Sequence, residues 1–325
     1  MYACYMQKNF PIFISGSLAY DVIMDFPDEF RRHILPEHLP ILNVSFGVTS
    51  LRRYFGGTAG NIAFSLKMLG GFPLIVAPLG SDGNAYVEHL RKWKIPVSFV
   101  KQYKSLETAC AYITTDQKHN QITAFYFGAL VKAPLLPSPA SHSLQEPCFM
   151  TIIAPTHKDA MVNHVKHSTL KKIPIMFDPG QAITMLSADE LRFCISRAKF
   201  FIGNDYEMKL IMKRTGWNKK KILEHVSAII ITLGSQGSKI FTRDMVIQVQ
   251  ACQVKKAVDP TGAGDAYRAG FVAGYTHGFD LKVCAQMGSV AAAYVVETFG
   301  TQQHYFSPVQ FEKRYFDEYK QKIIL

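Results

Sequence analysis

The chain has 325 residues, 48% of them apolar, which is enough to bury the core of one large domain; it carries a formal charge of +11 and a pI near 9.3. No stretch approaches the roughly 18 continuous apolar residues of a membrane span, and the N-terminal residues carry no apolar signal core. The six cysteines are scattered without a Cys-x-x-Cys pair, which excludes a disulfide scaffold or a Cys/His zinc module and leaves a soluble, cytoplasmic protein with reduced thiols as the expectation.

Short apolar runs recur along the chain, each ending in a small or polar residue. They cover 12–14 before Ser15-Gly16, 74–77 before Pro78, 149–153 before Ala154-Pro155, 173–177 before Asp178, 199–202 before Gly203-Asn204 and 228–231 before Thr232. Helical patterns fall between them, near 61–70, 83–93, 158–171, 187–197, 205–214 and 218–226. Strands that are apolar without alternation are buried on both faces, so the pattern predicts a doubly wound α/β fold with a mostly parallel central sheet between helix layers. Ligands of such sheets gather beyond the carboxyl ends of the strands, where Ser17, Asp178, Gln181, Asn204 and Thr232 stand.

Two stretches break this rhythm, at about 20–54 and 98–127. In the second, 108–114 and 121–127 read as strands around the turn-rich segment 116–120, which predicts a small sheet standing off a single domain spanning 1–325. The Pro-containing stretch 133–147 reads as a surface connection. The basic run Lys219-Lys-Lys221 reads as the solvated first turn of a helix and Lys255-Lys256 as a solvated strand end, so nucleic acid is not expected as a partner, nor is a membrane.

Three segments carry chemistry. Phe55-Gly-Gly-Thr-Ala-Gly-Asn61 opens a helical pattern; Gly56 and Gly57 allow close backbone approach, and Asn61 offers a donor and an acceptor suited to sugar hydroxyls. Asn204-Asp-Tyr-Glu207 places an amide and a carboxylate on one side of a helical turn at a strand end, able either to hold hydrated magnesium or simply to cap the helix. Asp259-Pro-Thr-Gly-Ala-Gly-Asp265 couples a small-residue phosphate cradle to a carboxylate at a helix start, where free N–H groups and the helix dipole suit a phosphoryl group. A carboxylate there can take a proton from an attacking hydroxyl; the plainer alternative is a tight turn with Asp265 as N-cap.

In this order the segments resemble the ribokinase-like (PfkB) carbohydrate kinases over about residues 10–303, and among these the bacterial adenosine kinases. That subgroup is suggested by Gly16-Ser-Leu-Ala-Tyr-Asp21, Leu35-Pro-Glu-His-Leu39, Phe125-Tyr126, Asp178-Pro-Gly-Gln181, Thr215-Gly-Trp217 and Gly300-Thr-Gln302. The resemblance implies a ribokinase-like fold whose small sheet is a substrate lid, and ATP-dependent phosphorylation of the adenosine 5′-hydroxyl. Asp265 is then the general base, and Thr261, Gly262, Ala263 and Gly264 form the anion hole. The nucleoside would meet Ser17, Asp21, Gly57, Asn61, Gln181 and, stacked on the base, Phe125; two positions depart from the subgroup, Ala182 and Phe127. ATP would meet Asn204, Thr232, Gly234, Gly237 and Arg268, with Glu207 acting on Mg2+ through water. Arg268 alternatively serves only a helix surface, and Asp21 alternatively pairs with Arg52 or Arg53. Many members also take a monovalent cation such as K+ near Asp259, and pair as homodimers through the lid. A sugar kinase of the same family and a non-catalytic nucleotide-binding protein are the rival readings.

Overall fold

A computed structural model describes residues 10–34, 43–118, 120–136 and 148–325. The Leu35-Pro-Glu-His-Leu39 segment, Cys4, His119 and most of 133–147 lie outside these described residues.

The chain begins with β1 (Pro11–Ser15), β2 (Ala19–Asp25), β3 (Ser50–Gly56), α1 (Thr58–Met68), β4 (Phe72–Leu79) and α2 (Asn84–Lys92). Next come β5 (Val100–Gln102), β6 (Ala109–Thr115), β7 (Gln121–Tyr126) and a 3-10 segment over Gly128–Leu135. An alternating stretch follows: β8 (Met150–Ile153), α3 (Lys158–Leu170), β9 (Ile175–Phe177), α4 (Ala188–Ile195), β10 (Phe200–Asn204), α5 (Asp205–Thr215), α6 (Lys219–Leu223) and β11 (Ala228–Thr232). The last elements are β12 (Ser238–Phe241), β13 (Val246–Val249), α7 (Ala263–Thr276), α8 (Leu281–Val296) and α9 (Pro308–Tyr319).

Nine strands form the large sheet in the order β13-β12-β11-β10-β9-β8-β1-β4-β5. Every pairing from β11 to β5 is parallel, and β12 and β13 add an antiparallel edge. The apolar runs are continuous because both faces are covered. Along β10, Phe200 and Ile202 pack with Phe271 of α7 and Met287 of α8, while Phe201 between them packs with Leu191 of α4 and Ile211 of α5. Each fully buried side chain of this size contributes about 1.5–3 kcal/mol of transfer free energy, so the sheet is the anchor of the fold.

The small sheet has the order β3-β2-β6-β7, with β2 and β6 parallel and the other pairs antiparallel. Both expected insertions contribute to it, with one correction: β5, inside the 98–127 stretch, joins the large sheet beside β4. Lys255-Lys256 also differs from expectation, since it lies in a loop, with the Lys255 N–H donating to Glu297, and not at a strand end. Lys219 opens α6 as anticipated. The five described cysteines are free, and no described helix is long and apolar enough to cross a membrane.

Candidate active site

The carboxyl ends of β1, β8, β9, β10 and β11 lie side by side, so the residues that follow them converge although they are far apart in sequence. A cleft of about 240 Å³ opens above these ends, lined by Thr58, Pro155, Asp178, Gly180, Gln181, Glu207, Gly262, Gly264, Asp265 and Arg268. Three helix N-termini border it, those of α1, α5 and α7, whose dipoles favour negative charge.

Asp265 is not an N-cap. Gly262 holds that position in a left-handed conformation, φ 79°, and Asp265 is the third residue of α7. A side chain at Gly262 would be strained by that φ and would run into Thr301. The loop before it is pinned by Asp259, which accepts from Thr261 N at 2.9 Å and from Gly300 N at 3.2 Å. Asp265 Oδ2 accepts from Asn61 Nδ2 at 2.8 Å. Burial pushes the Asp265 carboxyl up to about 6, against the opposing pull of Arg268 and the Asn61 hydrogen bond. Asn61 is buried, and while its amide NH2 donates to Asp265 its amide oxygen accepts from Gln302.

On the small sheet, Asp21 pairs with neither Arg52 nor Arg53: these bind Asp25 at 2.6 Å and Asp82 at 2.6 Å. Asp21 is 7% exposed and lies against Gly56, where any side chain would collide with it. Burial, then the charges of Asp265 and Asp259, push its carboxyl up to about 7, and no donor among the described residues is seen to bond it. Gly57 takes φ 84° at the start of α1. Ser17, expected to meet the purine or ribose, is bonded within the protein: its Oγ accepts from Thr58 N at 3.1 Å, and Thr58 Oγ1 donates to Pro155 O at 3.1 Å. Phe125 is 38% exposed on β7 and makes an edge contact with Phe127, ring centroids 5.2 Å apart. Gln181 is exposed at the rim of the cleft.

At the other end, Asn204 and Glu207 form a full capping box, with Glu207 N donating to Asn204 and Asn204 N to Glu207, each at 2.8 Å. Glu207 nevertheless lines the cleft, and burial with the charge of Asp178 raises its proton affinity. Thr232 is the register partner of Asn204, and the turn after it carries Gly234 at φ 58° and Gly237 at φ 84°. Arg268 is 7% exposed and not on a helix surface: it forms an ion pair with Asp178 and donates to Gly264 O at 2.7 Å. Asp178 Oδ1 is buried without a hydrogen-bond partner in a wall already holding Glu207 and Asp265. That surplus of carboxylate charge suits a hydrated divalent cation; no group of three or more His, Cys, Asp or Glu among the described residues could ligate a metal directly.

Thr58, Pro155 and Gly180 escaped sequence reasoning. Thr58 could have been suspected from its place between Gly57 and a helical run; Pro155 reaches the site only through the adjacency of β8 and β1.

The profile of the pfkB family of carbohydrate kinases matches residues 36–306. A nucleoside kinase of Methanocaldococcus jannaschii is 34% identical over 273 residues, 82% of this chain and 87% of that protein. The structure of Burkholderia thailandensis nucleoside kinase in complex with inosine superposes with a TM-score of 0.89 at 34% identity, covering 97% of this chain and 100% of the other. The crystal structure of the M. jannaschii nucleoside kinase gives a TM-score of 0.85 at 30% identity, covering 94% and 98%.

Proposed function

The chain belongs to the pfkB family of carbohydrate kinases, phosphotransferases with a hydroxyl acceptor, and from that premise we propose that it transfers the γ-phosphoryl group of ATP to the 5′-hydroxyl of a purine nucleoside. The observation that carries this reading is the pair of carboxylates with opposite surroundings: Asp265, half-buried and held by Asn61 at the start of α7, and Asp21, buried and without a donor among the described residues. Asp265 takes the proton of the attacking hydroxyl, and its raised proton affinity brings it closer to the working pH of a general base. The N–H groups at Gly262 and Gly264 hold the phosphoryl oxygens, the Ala263 N–H being donated to Pro260 O, with Arg268 as fixed positive charge beside them. Asp21 accepts from the two vicinal ribose hydroxyls, its acceptor sites being unclaimed by donors among the described residues. Glu207 and Asp178 would hold Mg2+ through water, and that ion supplies charge neutralisation on the phosphates. The small sheet serves as a lid that excludes water from the transfer.

Adenosine is the acceptor that the sequence resemblance implies, and inosine occupies the related B. thailandensis structure, so the proposal covers both purines. A sugar kinase is the second reading, since it would use the same base and cradle. An ADP-release assay with Mg2+ and adenosine, inosine, guanosine, ribose or fructose 6-phosphate separates them. Turnover is expected on purine nucleosides and to fall by at least about 100-fold in Asp265→Asn. Turnover on ribose or fructose 6-phosphate alone would replace the nucleoside with a sugar, and silence on all five would leave a nucleotide-binding protein.

A further inference from the structure

Behind Asp265 runs a chain of buried amides whose orientation is dictated from one end. An ionised carboxylate only accepts, so the Asn61 group facing Asp265 Oδ2 must be its NH2. Asn61 Oδ1 must then accept, and it does so from Gln302 Nε2 at 3.0 Å. The same Nε2 donates to the Tyr86 hydroxyl at 2.7 Å, and that hydroxyl donates to Gly56 O at 2.7 Å. With its NH2 committed, Gln302 can only accept at Oε1, and there His89 Nε2 lies 3.0 Å away. His89 therefore carries a proton on Nε2, and along the line His89, Gln302, Asn61 each donor points toward Asp265, with the Tyr86 hydroxyl as a side branch to Gly56. Gln302 is 2% exposed, Asn61 5% and Tyr86 0%, so only the outer member, the partly buried His89, reaches solvent.

A second observation shows that the helix makes room for the chain. Gly60, inside α1, has ordinary helical φ, yet a Cβ there would collide with the Tyr86 hydroxyl and with Gln302 Nε2. Ala is the better helix former by about 1 kcal/mol, so the glycine is there for space.

We propose that Gln302 is a positioning residue for the catalytic base, acting through Asn61 to fix the carboxylate of Asp265 toward the acceptor hydroxyl. The inference rests on the reading of Asp265 as general base. It joins four segments distant in sequence, α1, α2, the loop before α9 and α7, and through Tyr86 it reaches Gly56, where the small sheet returns to the core. His89 anchors the outer end, stacked on Phe55 with ring centroids 4.1 Å apart; burial lowers the proton affinity of the imidazole against the raising pull of its Gln302 hydrogen bond, with the Lys92 charge lowering it further. The charged groups facing Asp265 are Arg268, Asp178, Glu207 and, across the cleft, Asp21, none of which Gln302 touches.

The test uses the full chain with ATP, Mg2+ and adenosine or inosine, and Gln302→Met, which keeps the volume and removes both amide functions. Losing one oriented hydrogen bond to the base holder is expected to lower kcat about tenfold, with nucleoside KM within about twofold. The acid limb of the kcat profile should move to higher pH, because Asn61 no longer favours the ionised form. If Gln302 acts through Asn61, Asn61→Ala combined with Gln302→Met is no slower than Asn61→Ala alone. Should Gln302→Met fail to fold, His89→Leu and His89→Gln replace it: the first is expected to cost about threefold in kcat and the second, which keeps a donor, to restore it. Unchanged kcat in Gln302→Met, losses that multiply in the double variant, or equal effects of the two His89 variants would overturn the proposal. An active Asp265→Asn enzyme would instead remove the base reading itself.

Discussion

The floor of the cleft and the small sheet each present a carboxylate, Asp265 and Asp21, and burial is the largest cause raising the proton affinity of both. At the floor, Asp265 meets Asn61 and lies near Arg268, and Asn61 is itself held by Gln302. On the small sheet, Asp21 sits against Gly56 with no described donor, and β7 beyond it is exposed at every residue. A buried carboxylate without a donor costs stability unless something else supplies one. On the proposed reading, Asp265 has its protein partner before the ligand arrives, while Asp21 is left for the ligand to partner.

The largest test of this contrast is pH. Asp265 must be ionised to accept a proton, so kcat is expected to be flat above its value of about 6 and to fall tenfold per unit below, about 100-fold by pH 4. Asp21 titrates in the free enzyme near 7, so kcat/KM for the nucleoside should begin to fall at higher pH than kcat does. Coincident limbs in the two profiles would show that the two carboxylates are not prepared differently.

The next effect separates binding from stability. Asp21→Asn removes an acceptor from two ribose hydroxyls and is expected to raise nucleoside KM by about 10–100-fold, the worth of a hydrogen bond to a charged group, and to erase preference for ribonucleosides over 2′-deoxynucleosides. The ligand-free variant should gain stability at pH 8. A carboxyl raised from 3.8 to about 7 favours the folded state fully below 3.8 and loses that contribution as pH rises through 7, so wild type carries the unpaired charge where the variant does not. Thermal midpoints across pH 5–8 check the sign: the gap between the two proteins should widen with pH, and a wild type that stays the more stable at pH 8 would mean that Asp21 has a partner.

Sequence alone reached the central sheet and the cleft carboxylate Asp265 because both are local signals. Unbroken apolar runs such as 228–231 announce a strand buried on both faces, and Gly262 to Asp265 is a contiguous cradle and carboxylate. The helices α8 and α9 and the hairpin β12–β13 were not anticipated, since α8 is small and apolar all round, Gly288, Ala291 and Ala293 included, and offers no periodic face. The fate of Ser17, Asn61 and Arg268 was also hidden. Each has its partner across the chain, as with Asn61 and Gln302, 241 positions apart, and no spacing rule reports such a bond. The capping box of Asn204 and Glu207 was legible as one of two alternatives, and the structure shows the box itself while leaving Glu207 in the cleft wall.

The smallest effect expected is on the lid's aromatic. Phe125 is 38% exposed on a strand that buries nothing, and its only described ring neighbour, Phe127, meets it edge-on, which leaves a face open. A structural core residue would not stand so, and removing it should cost little stability. Stacking on a purine is worth about 0.5–1.5 kcal/mol, so Phe125→Ala is expected to raise purine nucleoside KM by about 2–12-fold with kcat unchanged, because the contact is the same before and during transfer. Ribose has no base to stack, so any turnover on ribose should be insensitive to the substitution. Equal losses on adenosine and ribose would move Phe125 from the base pocket to the general closure of the lid.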